Sequence, residues 1–458
     1  MSVHSDRDYY FSKIAEKIGG KAGADTADAL ADLYTIHEPG MIDWFANLYD
    51  PEVGGWYYSN GARDLGTVVW RDKVWDLRPD IESTEQALRF IGSSGLAGNG
   101  KCSYADVIPK EMRDKIVYFL KSLQHPNGFF YHPQWGVELT NEKLSRRARD
   151  LGNAVAVIKA FGDAPTYDTP IGDKGNGILA NGERVELVKA VEEKKVETPT
   201  AEIAIPEHMK NKEVFLEYLD SLDVQHNSYS AGNTLTAQKR QIMFRDEMLK
   251  KEGAGYSLME ILINYLNEKQ FPNGLWHEKA DYYGVNGLMK TSGVYGAAGV
   301  LLPNSEKAVM AAIDAMGTDE LATSVTSPYN AWFAAERVLR HIRTYGGADG
   351  EKTYARVLGL LYERAAEGLK KTKEKLLGFK KPDGSYSYTL KYSSARSQGC
   401  PVTHEEMVEG DINATIICSS DILAYIYGAL DLREYRAPLF GKEDMERYLA
   451  IIEKNSNR

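Results

Sequence analysis

The sequence predicts an all-α fold: an (α/α)6 toroid of helical hairpins, interrupted by one irregular insertion. Three observations lead there. The first is a string that recurs as His125-Pro126-Asn127-Gly128-Phe129-Phe130, Phe271-Pro272-Asn273-Gly274-Leu275-Trp276 and Lys381-Pro382-Asp383-Gly384-Ser385-Tyr386. A degenerate copy stands at Asp50-Pro51-Glu52-Val53-Gly54-Gly55-Trp56-Tyr57-Tyr58. Proline presets φ at the first corner of a β-turn and glycine accepts the positive φ that follows, so each string is a tight turn that delivers an aromatic side chain. The second observation is that each turn ends one apolar helical pattern and leads, through a polar loop, into another, which is the signature of a repeated hairpin. The third is the scarcity of strand patterns: Tyr386 to Tyr392 alternates and Arg184 to Val188 could pair locally, but neither makes a β domain.

In chain order, outer helices are expected at Met41–Tyr49, Pro109–Gln124, Ser257–Gln270 and Thr353–Leu377, where apolar residues fall three and four apart. Inner helices, more uniformly apolar, are expected at Ser83–Ile91, Asp150–Phe161, Asn286–Leu301 and Asp411–Leu430. Two hairpins lack the turn string: Glu213–Leu222 with Ala231–Leu249, and Ser305–Met316 with Tyr329–Arg343. Polar helices outside and apolar helices inside suit a closed double ring, because an inner helix is packed on nearly every face while an outer one meets water along a stripe. All outer-to-inner loops then open at one end, so the aromatic turns should converge on one cleft. The repeat runs through residues 1–458 as a single domain, and residues 163–208, Gly/Pro-rich and then highly charged, read as a surface insertion.

The net charge of −10 argues against nucleic acid as a partner, although it leaves room for a local basic pocket. No run of roughly 18 apolar residues stands out and the first residues carry no apolar signal, so a soluble, cytoplasmic protein with no membrane partner is expected. Cys102, Cys400 and Cys418 are too few for a disulfide framework. The chain has no Walker loop, dinucleotide fingerprint or nucleophile elbow, and no cofactor is expected. Cys400 and His404 could form half a zinc site, but no second pair lies near them in sequence. Nothing in the sequence sets the oligomeric state. Tyrosines outnumber phenylalanines 28 to 13, many of them in loops, and rings with polar tips suit the faces and hydroxyl edges of sugars. The clusters around Trp56 and Tyr57, Tyr131, His132 and Trp135, and Trp276 and His277 supply candidate sugar contacts, joined by Tyr329 and His404.

Gln225-His226-Asn227-Ser228-Tyr229-Ser230-Ala231-Gly232-Asn233 packs an imidazole, amides and a phenol just before the third inner helix. It resembles the Asn/His/Tyr clusters of toroid polysaccharide lyases, which cleave uronic-acid glycans by β-elimination. That resemblance implies an anionic oligosaccharide substrate. His226 and Asn227 would neutralise its carboxylate, and Tyr229, with Tyr282 or Tyr283 one hairpin later, would move the proton. The order of His226 and Asn227 is reversed relative to several such families, and the two could instead brace the helix that follows. Arg146 and Arg147, at the start of the second inner helix, oppose its dipole unless an anion compensates; a substrate carboxylate or Asp150 would serve, and Arg63 and Lys290 are weaker anion-binding candidates of the same type. The runner-up chemistry is glycoside hydrolysis by a carboxylate pair, as in toroid hydrolases of unsaturated uronides, drawn from Asp80, Glu82, Glu85, Asp150, Glu405, Glu406, Glu409 and Asp411. A non-catalytic glycan-binding toroid is a third reading. The aromatic turns also resemble, more distantly, those of terpenoid cyclases and protein prenyltransferases, but their Asp-rich motif is absent.

Overall fold

The computed structural model describes residues 3–98, 102–185 and 205–456. The protein is all-α, with three two-stranded hairpins as its only sheets among these residues. Six inner helices run Ile81–Ser93, Leu144–Ala160, Ser228–Lys251, Tyr282–Ala298, Thr326–Tyr345 and, as the sixth, Ile412–Ile416 continued through a π turn into Ile422–Ala429. Their outer partners are Gly40–Asn47, Lys110–Ser122, Lys212–Ser221, Leu258–Lys269, Ser305–Met316 and Gly350–Leu377. The inner helices touch in a closed cycle: each packs on the next, and the sixth returns to the first. This is the contact order of six hairpins in a ring.

Local chemistry fixes where these helices start. Asp80, Asp281 and Asp411 are the N-caps of the first, fourth and sixth inner helices, each accepting from backbone N–H groups one turn in. The three full turn strings fold alike. Gly128, Gly274 and Gly384 have φ of 84°, 84° and 87°, each donates to the residue before the proline, and Asn127, Asn273 and Asp383 accept from the residue after the glycine. Glycine at 384 has a second reason. A Cβ there would lie 2.8 Å from the Met41 nitrogen, because this last turn docks on the first outer helix and completes the outer layer.

Elements outside the hairpin pattern complete the molecule. Helices Val3–Ile18 and Gly20–Tyr34 pack together, the second lying on the sixth outer helix, and Lys442–Ser456 lies against the first outer helix. A β-hairpin, Thr67–Trp70 with Lys73–Asp76, also forms. Tyr386 and Thr389 make only isolated bridges rather than a strand, and Arg184 bridges Ile178, with residues 186–188 outside the described residues. Of the insertion, residues 163–185 run as irregular loops. The span Ile412–Ala429 is long and apolar enough by composition to cross a membrane, contrary to the expectation that no such run exists, but it is the sixth inner helix and is largely buried by its neighbours.

Candidate functional site

Five inner helices each carry a partly exposed pair of residues spaced by four and set among buried neighbours. The pairs are Glu85 and Arg89, Ser145 and Arg149, Tyr229 and Asn233, Asn286 and Lys290, and Phe333 and Arg337. A spacing of four puts both members on one helix face. Contacts between pairs place those faces around a common interior. Arg149 donates to Asn233 (3.3 Å), the Lys290 ammonium sits 5.3 Å from the centre of the Tyr229 ring, Phe333 stacks on Tyr425 of the sixth helix (3.7 Å), and Arg89 pairs with Asp421. Amide pairs stitch adjacent helices: Gln86 to Asn413 (2.9 Å) and Asn330 to Asn286 (2.9 Å). At the N-terminal ends of these helices opens a cavity of about 300 Å³, lined by Tyr58, Ser145, Tyr229, Asn233, Tyr388 and Asn413 together with the loop from Ser394 to Gly399. A larger groove, about 740 Å³, lies beside the first outer helix at Asp43, Asn47 and Arg63. Its charged groups already pair, Arg63 with Asp64 and Asp43 with Arg447.

One wall of the interior is cationic. Arg149 donates to Glu82 at 2.5 Å. Arg337 donates to the Met289 carbonyl at 2.6 Å, lies over Phe333 and has no carboxylate partner among the described residues. Lys290 has none either: burial, then the guanidiniums of Arg149 and Arg337, hold its pKa well below the ordinary lysine range, with Glu82 pulling the other way. Close helix packing fixes it in place, since a Cβ on Gly232 would meet the Lys290 Cβ at 2.8 Å. Tyr229 and Tyr388 share a hydrogen bond. Burial raises the Tyr229 pKa, and Arg149 and Tyr388 offset part of that rise. The opposite wall is mixed. Arg89 bridges Glu85 (3.1 Å) and Asp421, which the π turn Ile417–Asp421 carries, and burial pushes the pKa of both carboxyls up. At the mouth, burial pushes Asp411 up to about 7 against hydrogen bonds from Ala414, Ser394 and Tyr58.

Of the candidate catalytic and sugar-contact residues singled out from the sequence, Tyr229 lines this cavity and the others lie elsewhere; of the weaker anion-binding candidates, Lys290 sits over Tyr229 and Arg63 lines the larger groove. Trp56, Trp135 and Trp276 are buried core residues, not sugar platforms. Their indole N–H groups donate to Tyr448, the Pro401 carbonyl and the Leu266 carbonyl. His132 is buried on the Pro79 carbonyl, where burial lowers it to about 3. Tyr57 donates to Asp50, and Tyr131 bonds Asn127 and Asn141. Arg146 is wholly buried, stacked 4.1 Å from the Trp135 ring centre and paired with Asp150 (2.7 Å), Asp80 (3.0 Å) and Glu82 (3.1 Å), so Asp150 and not a substrate compensates it. Arg147 lies over Phe129 and donates to Asn141.

His226 is 86% exposed and pairs with Asp223; Asn227 is exposed and its side chain caps nothing. Tyr283 is 40% exposed, donates to the His226 carbonyl and packs on His277. Tyr282 is buried and bonded by Lys375. Tyr329 is buried against Phe333 and Tyr425, deeper in the ring. His404 bonds the Thr67 carbonyl, and Cys400 is buried, its thiol pushed up to about 12 by burial. Among the proposed acid pairs, Asp80 and Asp411 are helix caps and Glu82 is held by two guanidiniums. The residues that sequence reasoning left out of the site are Arg149, Asn233, Arg337 and Tyr388, while Lys290 is among its weaker anion-binding candidates. For Lys290 the signal is a charge four residues from Asn286 inside an otherwise apolar helix; Tyr388 lies in a loop, outside that pattern.

No family model matches the chain, and no curated protein does either. Two solved structures of variants of the type II terpene cyclase MstE from Scytonema, each in complex with geranylgeranyl dihydroxybenzoate, are similar to it at 13% identity. They cover 88% of this chain and 98% and 97% of their own, with TM-scores of 0.32 and 0.31. A likeness this slight carries no argument about activity.

Proposed function

We propose that the protein is an enzyme whose central cavity takes an anionic, polyhydroxylated substrate, an oligosaccharide bearing uronic acid, and cleaves it by β-elimination. The observation that carries this reading is the basic wall behind the cavity lining: Arg149 donates to Asn233 and Lys290 sits over Tyr229, both of which line the cavity, Arg337 comes from the fifth inner helix, and among the described residues Glu82 is the one carboxylate within ion-pair distance of any of the three. The permanent guanidinium charges of Arg149 and Arg337, gathered in a confined space, repel one another unless an anion enters, so the wall favours a carboxylate-bearing ligand. Asn233, Asn413, Gln398 and the serines of the 394–397 loop supply donors and acceptors for hydroxyl groups. In this reading Arg149 and Arg337 neutralise the uronate carboxylate, which makes the neighbouring C5 proton more acidic. Tyr229, protonated at neutral pH and held by Tyr388, donates to the departing glycosidic oxygen. A polyene would leave the charges and amides of this cavity unpartnered, which disfavours the terpenoid reading. Hydrolysis would call on Glu85 and Asp421, both engaged by Arg89.

The test is incubation with a panel of oligouronides and neutral oligosaccharides. β-Elimination gives a conjugated C4=C5 bond and new ultraviolet absorbance with each new reducing end. Reducing ends without absorbance would establish hydrolysis instead, and neither signal would leave a binding protein. Arg337→Gln should raise KM for the active oligouronide by about tenfold or more, in line with the loss of a charge-assisted contact.

A further inference from the structure

Resting on that reading, we infer that Lys290 is the catalytic base, the amine that takes the C5 proton, and not a third cation for binding carboxylate. Position is the first argument. Lys290 is the one cation on the wall with neither an ion pair nor a hydrogen bond among the described residues: Arg149 is held by Glu82 and Asn233, and Arg337 by the Met289 carbonyl. Its ammonium site lies over the Tyr229 ring, 5.3 Å from the centroid, so a substrate reaching the Tyr229 hydroxyl with its leaving oxygen passes beside the amine. Its stem is clamped where Gly232 lets the third and fourth inner helices approach. A base needs this fixed placement more than a charge does.

The groups facing Lys290 decide its protonation. They are Arg149 on the second inner helix, Tyr229 on the third, Arg337 on the fifth and Glu82 on the first. The guanidiniums disfavour a third positive charge, burial acts in the same direction, and Glu82 is already committed to Arg146 and Arg149. The proton count closes. The amine lone pair takes the C5 proton, and the C5–H electron pair becomes the C4=C5 bond as the C4–O bond breaks. Tyr229 gives its proton to the leaving oxygen, and the Lys290 ammonium then returns a proton to the Tyr229 phenolate, restoring both groups without a co-reactant.

Lys290→Arg puts a permanent positive charge at the same place but cannot act as a base near neutrality, so it separates the two roles. Its kcat should fall by about a hundredfold or more with KM changed by less than about threefold. The wild-type kcat/KM should rise with pH to a plateau, and the variant should lack that limb. Melting temperatures of both proteins check that the variant is folded; if it is not, Lys290→Met is measured in its place, with the same loss of kcat expected. A readout independent of activity is pH-dependent acetylation by acetic anhydride followed by mass spectrometry, in which Lys290 should react at lower pH than exposed Lys110. Wild-type kcat in Lys290→Arg, or a Lys290 that titrates with Lys110, overturns the proposal while leaving the lyase reading in place. A wild-type protein that gives no elimination product on any oligouronide overturns that reading and this inference with it.

Discussion

Replacing Arg146 by methionine tests whether this arginine supports the ring or the substrate. In the structure two guanidiniums, Arg146 and Arg149, face three buried carboxylates, Asp80, Glu82 and Asp150. Burial pushes Glu82 up, but the two guanidiniums outweigh it and leave it at about 2, whereas burial raises Asp150 to about 7 against the pull of Arg146. Methionine can still pack on Trp135, so the variant chiefly strips the charge. Breaking a buried ion cluster on one side costs about 3–5 kcal/mol. Unfolding entropy of about 2.1 cal/mol/K per residue gives about 1 kcal/mol/K for a chain of 458 residues, so Tm should fall by about 3–5 °C.

The fall should also depend on pH. In the variant the carboxyls stay buried with less compensation, so their folded pKa values lie above their unfolded ones. Such acids contribute stability below the unfolded pKa and lose it as pH rises through the folded one. The deficit against wild type should therefore be larger at pH 8 than at pH 5. In the wild type, Glu82 has the opposite sign: its contribution is present above the usual glutamate value and is lost as pH falls toward about 2. Calorimetric melting at the two pH values is the assay. A Tm within 1 °C of wild type at both, with substrate affinity lost, would refute the structural role and return Arg146 to the binding site.

Two further substitutions probe the ring and its mouth. Gly384→Ala combines a φ of 87° with a Cβ set 2.8 Å from the Met41 nitrogen, so it should lower Tm by about 1–3 °C. Gly66→Ala, at φ 71° with open space around the new methyl, should cost less, and equal losses would mean that the contact between the last turn and the first outer helix contributes nothing. His226→Ala removes an exposed side chain whose partner is Asp223, so Tm should move by less than 1 °C and kcat/KM by less than about threefold. A hundredfold loss of rate would put the imidazole back at the reacting atoms.

The twelve ring helices were legible because their apolar spacing and their packing agree; Ser305–Met316 matches the sequence reading at both ends. Helices Val3–Ile18, Gly20–Tyr34 and Lys442–Ser456 went unread because no turn string flanks them and the repeat drew the eye elsewhere. The hairpin Thr67–Asp76 was hidden by its turn, which places Arg71 and Asp72 at φ of 52° and 57° where Asn-Gly would have announced it. The turn strings were read correctly as turns and wrongly as platforms. Each folds the chain back on the end of its outer helix, as the bridges Gln124 to Phe130 and Lys380 to Tyr386 record, and that return drives the aromatic ring between the two layers. Sequence gives the spacing of such a residue but not which side of the returning chain faces water.

The interior of the ring shows why the site escaped the same reasoning. A closed ring needs only apolar filling at its axis, and polar groups there carry a desolvation cost unless partnered. Most of the axial groups are partnered: Gln86 with Asn413, Asn286 with Asn330, Arg89 with two carboxyls, Arg149 with Glu82. Lys290 and Arg337 lack ionic partners among the described residues, and Lys290 stands over the tyrosine that the cavity exposes. A residue that costs stability where an apolar one would pack is best explained by what it does to a ligand. In the sequence, Lys290 follows Asn286 by four residues within the apolar stretch Tyr282–Ala298, and a lone charge there reads as no more than a weak anion-binding candidate. It becomes a wall only when Arg149 and Arg337 arrive beside it from helices more than a hundred residues apart in the chain, Arg149 lying 141 residues before it and Arg337 lying 47 after.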